Sequence, residues 1–319
     1  MKTFFIVNPK AGKKKNIRQL ISEIQASIVQ KDLDAEVYLT KYSKDATRFV
    51  REYCEQNGAA RFIACGGDGT LSEVVNGAMG CFGAQVGVMP VGSGNDFCRN
   101  FPKGIDFMDV LFQTSAEAVS CDVLCYTATI GGEQLYGYCA NMFNIGFDCN
   151  VGDKTNEIKE KTVFGGSFAY VLSILWNLIQ KKTISLKVIA DETVVYDGEL
   201  LLTSVANGKY CGGGIQSNPM ASITDGKINV NLIKNVSRMR FLSLLPSYMK
   251  GTHLRKRGID KILHVLDCRK LTLIPHNENI RLCVDGELIT AEEITFRVIP
   301  GGLSFVLPER AEKIPACQR

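Results

Sequence analysis

The chain has 319 residues, 45% hydrophobic and 22% charged, the balance of a globular protein long enough for two domains with real cores. Its net charge of +4 is too slight to mark a nucleic-acid binder, and no nucleic-acid partner is expected. The twelve cysteines lack matched CxxC spacing and the opening apolar run is too short for an export signal, so they read as reduced thiols of a cytoplasmic protein.

In chain order, FFIV (residues 4–7) reads as a buried strand, and Ile17, Leu20, Ile21, Ile24 and Ile28 follow at helical spacing. AEVYLT (35–40) is the next strand. Ala46, Phe49, Val50 and Tyr53 mark a helix with Ser43 as its expected N-cap. RFIAC (61–65), a helix through Leu71, Val74, Val75 and Ala78, and the strand QVGVMP (85–90) continue the alternation. This βαβ rhythm predicts a parallel, helix-covered sheet whose ligand lies beyond the carboxyl ends of its strands. From about residue 121 strand-like runs dominate: SLKVIA, TVVYDGELLLTSV, KINVNLI, LTLIP, IRLCVDGE and EITFRVI. Several alternate apolar and polar residues, which predicts antiparallel strands in a β-sandwich. FAYVLSILWNLI (168–179) reads as an inserted apolar helix, shorter than the roughly 20 residues that span a bilayer. No transmembrane segment is expected.

Three loops follow strands in the first half. GGDGT holds Gly66, Gly67, Asp68, Gly69 and Thr70 at a strand-to-helix turn, where glycine N–H groups can approach phosphate closely. A carboxylate there, Asp68, repels phosphate unless a cation stands between them. VGSGND adds Gly92, Ser93, Gly94, Asn95 and Asp96 after the next strand. VNPKAGKKKN supplies Asn8 and Pro9, with Lys13, Lys14 and Lys15 either facing phosphate or forming a solvated face. Together the loops suit a nucleotide triphosphate. In the second half CVDGE (283–287) reads first as a hairpin turn. Asp225, in SITDGKI, is a turn residue or a hard-cation ligand.

VNPKAG, GGDGT, PVGSGNDFCRN, NIGFD (144–148), ANGKYCGGG, SITDGKINV and CVDGE, in that order over nearly the whole chain, resemble the diacylglycerol kinase catalytic-domain family. That family includes soluble bacterial diacylglycerol kinases, YegS-type lipid kinases, and sphingosine and ceramide kinases. GGDGT alone is shared with NAD kinases. Where the family usually has Leu-Gly-Thr this chain has Val91, Gly92 and Ser93, which keeps the hydroxyl. The resemblance implies an α/β ATP-binding domain over residues 1–120, completed by a return segment at 303–319, and a β-sandwich lipid-substrate domain over 121–302, with ATP and lipid meeting in the cleft. It implies ATP and Mg²⁺ as cofactors, with ATP over Asn8, Pro9, Gly66, Gly67, Gly69, Thr70, Gly92, Ser93, Gly94, Asn95 and Glu287. It makes Asp285 the general base, overturning the plain hairpin reading of CVDGE. Asp68 becomes a catalytic organiser of the metal, and Asp225 and Asp122 further metal residues.

The expected activity is transfer of the γ-phosphate of ATP to a lipid hydroxyl, with diacylglycerol first. Phosphatidylglycerol, a sphingoid base, and NAD are the alternative acceptors. The basic, apolar stretch 238–258 is either a membrane-surface contact or a core helix with a solvated basic end. The expected setting is cytoplasmic with peripheral membrane association. A homodimer is a common state of soluble enzymes, and no residue pattern here specifies one.

Overall fold

The computed structural model describes residues 1–12, 14–146, 183–277, 279–284 and 287–307. The inserted apolar helix expected at 168–179, the end of NIGFD, Lys13, Asp285 and the segment 308–319 lie outside them. The chain divides into one unit of Met1–Cys121 with Gly301–Arg319, and a second of Asp122–Pro300.

The first unit alternates β1 (Thr3–Val7), α1 (Lys14–Gln30), β2 (Ala35–Leu39), α2 (Asp45–Asn57), β3 (Arg61–Gly66), α3 (Asp68–Ala78) and β4 (Gln85–Pro90), with a short α4 (Val110–Ser115) beyond. β1 pairs in parallel with β2 and β3, and β3 with β4. β1 and β3 are buried at every position, as helices on both faces of a parallel sheet require. On one face Phe4 and Phe62 meet Phe49 and Tyr53 of α2. On the other, Phe5, Val7, Ile63 and Met89 pack under Ile17, Leu20 and Ile24 of α1. The spacing of those isoleucines and leucines in the sequence is the core face of α1. Burying each such side chain contributes about 1.5–3 kcal/mol.

Ser43 is not the N-cap of α2. That position falls to Lys44, at φ 66°, whose own side chain makes no capping hydrogen bond. Asp45 takes over this end instead. Its buried carboxylate accepts from the Lys41 amide at 2.8 Å and the Tyr38 hydroxyl at 3.1 Å, and pairs with Arg48 at 2.8 Å. Burial opposes ionisation of Asp45, but Arg48, the Lys41 amide and Tyr38 outweigh it and hold its pKa below the usual carboxylate value.

β5 (Ala118–Ile130) runs from the first unit into the second, which continues with β6 (Glu133–Cys139), β7 (Met142–Gly146), β8 (Ile184–Ala190), β9 (Thr193–Ala206) and β10 (Ile228–Lys234). Then come α5 (Arg238–Met249), β11 (Leu263–Cys268), β12 (Lys270–Pro275), β13 (Ile280–Val284), β14 (Glu287–Ala291) and β15 (Glu293–Val306). The order β14-β13-β7-β9-β8-β12-β15 is antiparallel throughout, and β10 joins β9 to β11. Alternate residues such as Leu186, Val188, Leu271, Leu273, Ile280, Leu282, Ile294 and Phe296 fill one core. The fold is thus an α/β domain with a parallel sheet followed by a mostly antiparallel β-sandwich domain. β15 leaves the second unit at Pro300, and Ser304 and Phe305 pair in parallel with Gln85 and Val86 of β4.

Candidate active site

Three loops meet beyond the carboxyl ends of β1, β3 and β4. The amides of Val91 and Gly92 both donate to the Gly66 carbonyl, at 2.9 and 3.2 Å, which clamps the third loop to the second. A Cβ on Gly92 would lie 2.4 Å from the Gly67 Cα, so only glycine fits there. Gly12, at φ +58°, turns the first loop against the same place; a Cβ on it would lie 2.5 Å from the Val91 carbonyl oxygen. Asn8 donates from Nδ2 to the Thr70 hydroxyl at 3.3 Å, and its Oδ1 accepts from the Lys10 amide at 2.9 Å.

Asp68 opens α3, with Gly67 as N-cap. Its Oδ1 accepts from the Phe97 amide at 3.1 Å, and a Cβ on Gly94 would lie 2.9 Å from its Oδ2. The acidic side chain therefore stands over the third loop, next to the N–H groups of the α3 N-terminus, where negative charge is favoured. Asn95, at φ 54°, turns its amide inward: Nδ2 donates to the Gly92 carbonyl at 2.9 Å and Oδ1 accepts from the Gly92 amide at 3.1 Å. Buried Asp96 pairs with Arg99 at 3.4 Å. Pro9, Gly69 and Ser93 are exposed. The first unit thus gathers Asn8, Pro9, Gly66 to Thr70 and Gly92 to Asn95 at one end of its sheet.

The second unit gathers a separate acidic group. Buried Asp122 accepts the Gly226 amide at 2.6 Å, and its own amide donates to the Ile223 carbonyl at 2.7 Å. Asn207, in ANGKYCGGG, holds the Asp122 carbonyl at 2.8 Å and the Ala140 carbonyl at 2.7 Å. Asp225 accepts the Lys227 amide at 3.1 Å. Its side chain reaches the surface, yet partial loss of water pushes its pKa up. The Lys227 amide opposes that rise, and Asp267 and Asp122 add to it by charge repulsion. Asp267 is a member of this group that sequence reasoning missed; it sits in an ordinary strand and accepts from Asn229 at 2.8 Å. Hard divalent cations take one or two carboxylates and complete their shell with water, and these oxygen donors fit that mode. Among the described residues no three potential ligands are grouped tightly enough to enclose a metal unaided.

β13 and β14 pair in antiparallel register, with Val284 opposite Glu287; Asp285, between them in the chain, lies outside the described residues. A third feature was not foreseen. A small apolar cavity of about 50 Å³ opens among Leu201, Leu202, Ile233, Phe241, Leu245 and Tyr248, with β9 and β10 on one side and α5 on the other. His253 also lines it, buried to 2% exposure. Burial pushes its pKa below the usual value, and the Ser247 backbone offsets this only in part.

Residues 2–124 match the model of the diacylglycerol kinase catalytic domain, and residues 141–307 match that of the YegS C-terminal NAD kinase beta sandwich-like domain. The chain belongs to the YegS-type diacylglycerol kinase family. Over 313 residues it is 27% identical to a protein of Escherichia fergusonii named probable lipid kinase YegS, covering 96% of each chain. A Serratia proteamaculans protein named probable lipid kinase YegS-like is 27% identical over 325 residues, covering 98% of this chain and 96% of its own. A solved structure of a diacylglycerol kinase from Bacillus anthracis superposes with a TM-score of 0.69 at 20% identity, over 97% of this chain and 98% of that one. This YegS-type protein is therefore an enzyme of a kinase family, with the same fold as that solved structure.

Proposed function

We propose that this YegS-type kinase transfers the γ-phosphate of ATP to the hydroxyl of a membrane lipid, diacylglycerol first among the acceptors. The observation that carries the reading is the meeting of three glycine-rich loops beyond one end of the parallel sheet, in a protein whose relatives are named lipid kinases. The three glycine-rich loops fit the phosphates, since backbone N–H groups can approach them without a Cβ in the way. Phosphoryl transfer asks for positioning and charge neutralisation. Mg²⁺, when bound, supplies that neutralisation at the phosphates, with Asp68 toward the nucleotide and Asp225 and Asp122 as the further acidic set. Glu287, beside the hairpin, is assigned to the nucleotide. Asp285 takes the proton of the lipid hydroxyl as its oxygen attacks the γ-phosphorus and the bond to ADP breaks, the work of a general base.

Transfer of label from γ-labelled ATP to a lipid panel in mixed micelles, with NAD in parallel, tests the reading. Label is expected on diacylglycerol; label on NAD alone, or on no lipid, overturns it. Asp285→Asn is expected to keep nucleotide affinity and lose at least about a hundredfold in turnover, as removal of a general base does. Unchanged turnover would remove Asp285 from the mechanism.

The acceptor has to be drawn from a membrane. No helix among the described residues is long and apolar enough to cross one. Arg238, Met239, Arg240 and Leu242 of α5 are exposed, as are Arg255, Lys256 and Arg257 just beyond it, and this basic, partly apolar surface suits an anionic leaflet. Replacing Arg255, Lys256 and Arg257 by glutamine is expected to weaken binding to anionic vesicles severalfold while leaving neutral vesicles unaffected. Equal binding to both by the unaltered chain would sink the surface-contact reading.

A further inference from the structure

α2 and α3 pack side by side in one register. The Ala46 amide donates to the Glu73 carboxylate at 3.2 Å, the Thr47 hydroxyl to the Glu73 carbonyl at 2.8 Å, and Arg51 to the Asn76 carbonyl at 3.2 Å. Val50 lies against Gly77, where a Cβ would fall 2.7 Å from the Val50 Cβ. One helical turn beyond Val50 is Cys54. One turn's length beyond Gly77 is Cys81, just past the end of α3 and tied back by its amide to the Ala78 carbonyl at 3.0 Å. Cys54 and Cys81 are thus carried by neighbouring segments in that register, and the Cys81 thiol is close enough to Cys54 to raise its pKa. The absence of a side chain at Gly77 lets the backbones of α2 and α3 approach closely there. Both cysteines are partly open to solvent, whereas Cys65, Cys121, Cys139, Cys211 and Cys268 are buried.

We propose that Cys54 and Cys81 are an oxidation site, at which a peroxide converts the thiol pair into an intrachain disulfide tying α2 to the end of α3. In the first step the Cys81 sulfur attacks one peroxide oxygen. The O–O bond breaks, water leaves with hydrogen peroxide as oxidant, and Cys81 becomes a sulfenic acid. In the second, the Cys54 sulfur attacks that sulfur, the S–O bond breaks, and the hydroxyl leaves as a second water with the Cys54 proton. Two thiols are oxidised and one peroxide is reduced to two waters.

The experiment treats the full-length chain with hydrogen peroxide and maps the peptides. The expected product is a Cys54–Cys81 cross-link lighter by two hydrogen atoms, reversed by dithiothreitol and accompanied by a reversible rise in Tm. Cys54→Ser is expected to lose the cross-link and leave Cys81 trappable by dimedone. Oxidation of Cys81 beyond the sulfenic stage in the unaltered chain without a cross-link, or a cross-link joining other cysteines, overturns the proposal. An independent probe needs neither oxidant nor variant. Phenylarsine oxide, which bridges paired thiols, is expected to protect Cys54 and Cys81 together from alkylation, and protection of neither rules the pair out.

Discussion

At the scale of residues, the candidate site is held together by side chains that read as ligand groups. Asn8, Thr70 and Asn95 spend much of their hydrogen-bonding capacity on one another and on their own loops. They shape the backbone cradle, and in the proposed function the N–H groups of that cradle meet phosphate. Asp225 carries a titration that can be read directly. Its folded pKa is raised above the ordinary aspartate value of 3.8. The native state therefore binds more protons than the unfolded chain between that value and the raised one. This group favours folding below the window, and its contribution declines as pH rises through it. A divalent cation competes with that proton. The rise in Tm caused by Mg²⁺ is accordingly expected to be largest at neutral pH, to shrink as the pH falls into the window, and to be absent in Asp225→Asn. A full Mg²⁺ shift in that variant would exclude Asp225 as a ligand.

At the scale of elements, the glycine loops matter through their mutual contact rather than singly. Gly92→Ala places a methyl group against the Gly67 backbone. Overpacking of this kind costs about 1–3 kcal/mol, and here the loops would part at the phosphate cradle. The variant is expected to lose roughly tenfold in ATP affinity by titration calorimetry, since each 1.4 kcal/mol is tenfold. Unaltered affinity would show that the second and third loops need not touch to bind nucleotide. These loops were legible because glycine after a strand has few other uses, and the regular βαβ spacing located them. Other elements were not. The hairpin β5–β6 turns on Gly131 and Gly132, with Ile130 paired to Glu133, yet its strands are rich in Cys, Thr and Tyr without clean alternation. Pro300-Gly301-Gly302 reads as a break, and β15 runs straight through it. Asp267 could not be singled out in a strand that looks like any other, because only the fold brings it to Asp122 and Asp225.

At the scale of the whole molecule, both fold classes were legible from periodicity: unbroken apolar runs for the parallel sheet, alternation for the sandwich. The apolar cavity was not, because its wall comes from β9, β10 and α5, whose apolar residues look like ordinary core until the three are assembled. The return of β15 to β4 has a consequence for how the protein is made. A ribosome delivers β1 to β4 early, but the partner of β4's outer edge is residues 304–305, 183 positions downstream of the point where the chain leaves the first unit at Cys121. Throughout synthesis of the sandwich, the nascent first unit carries an open strand edge of the kind that recruits unwanted partners. Chains released after Pro300 are therefore expected to be recovered mostly in the insoluble fraction and to be retained by holdase chaperones, while chains extended through Leu307 regain solubility. Equal solubility of the two would mean that the edge is protected in some other way, and that the first unit matures before its last strand arrives.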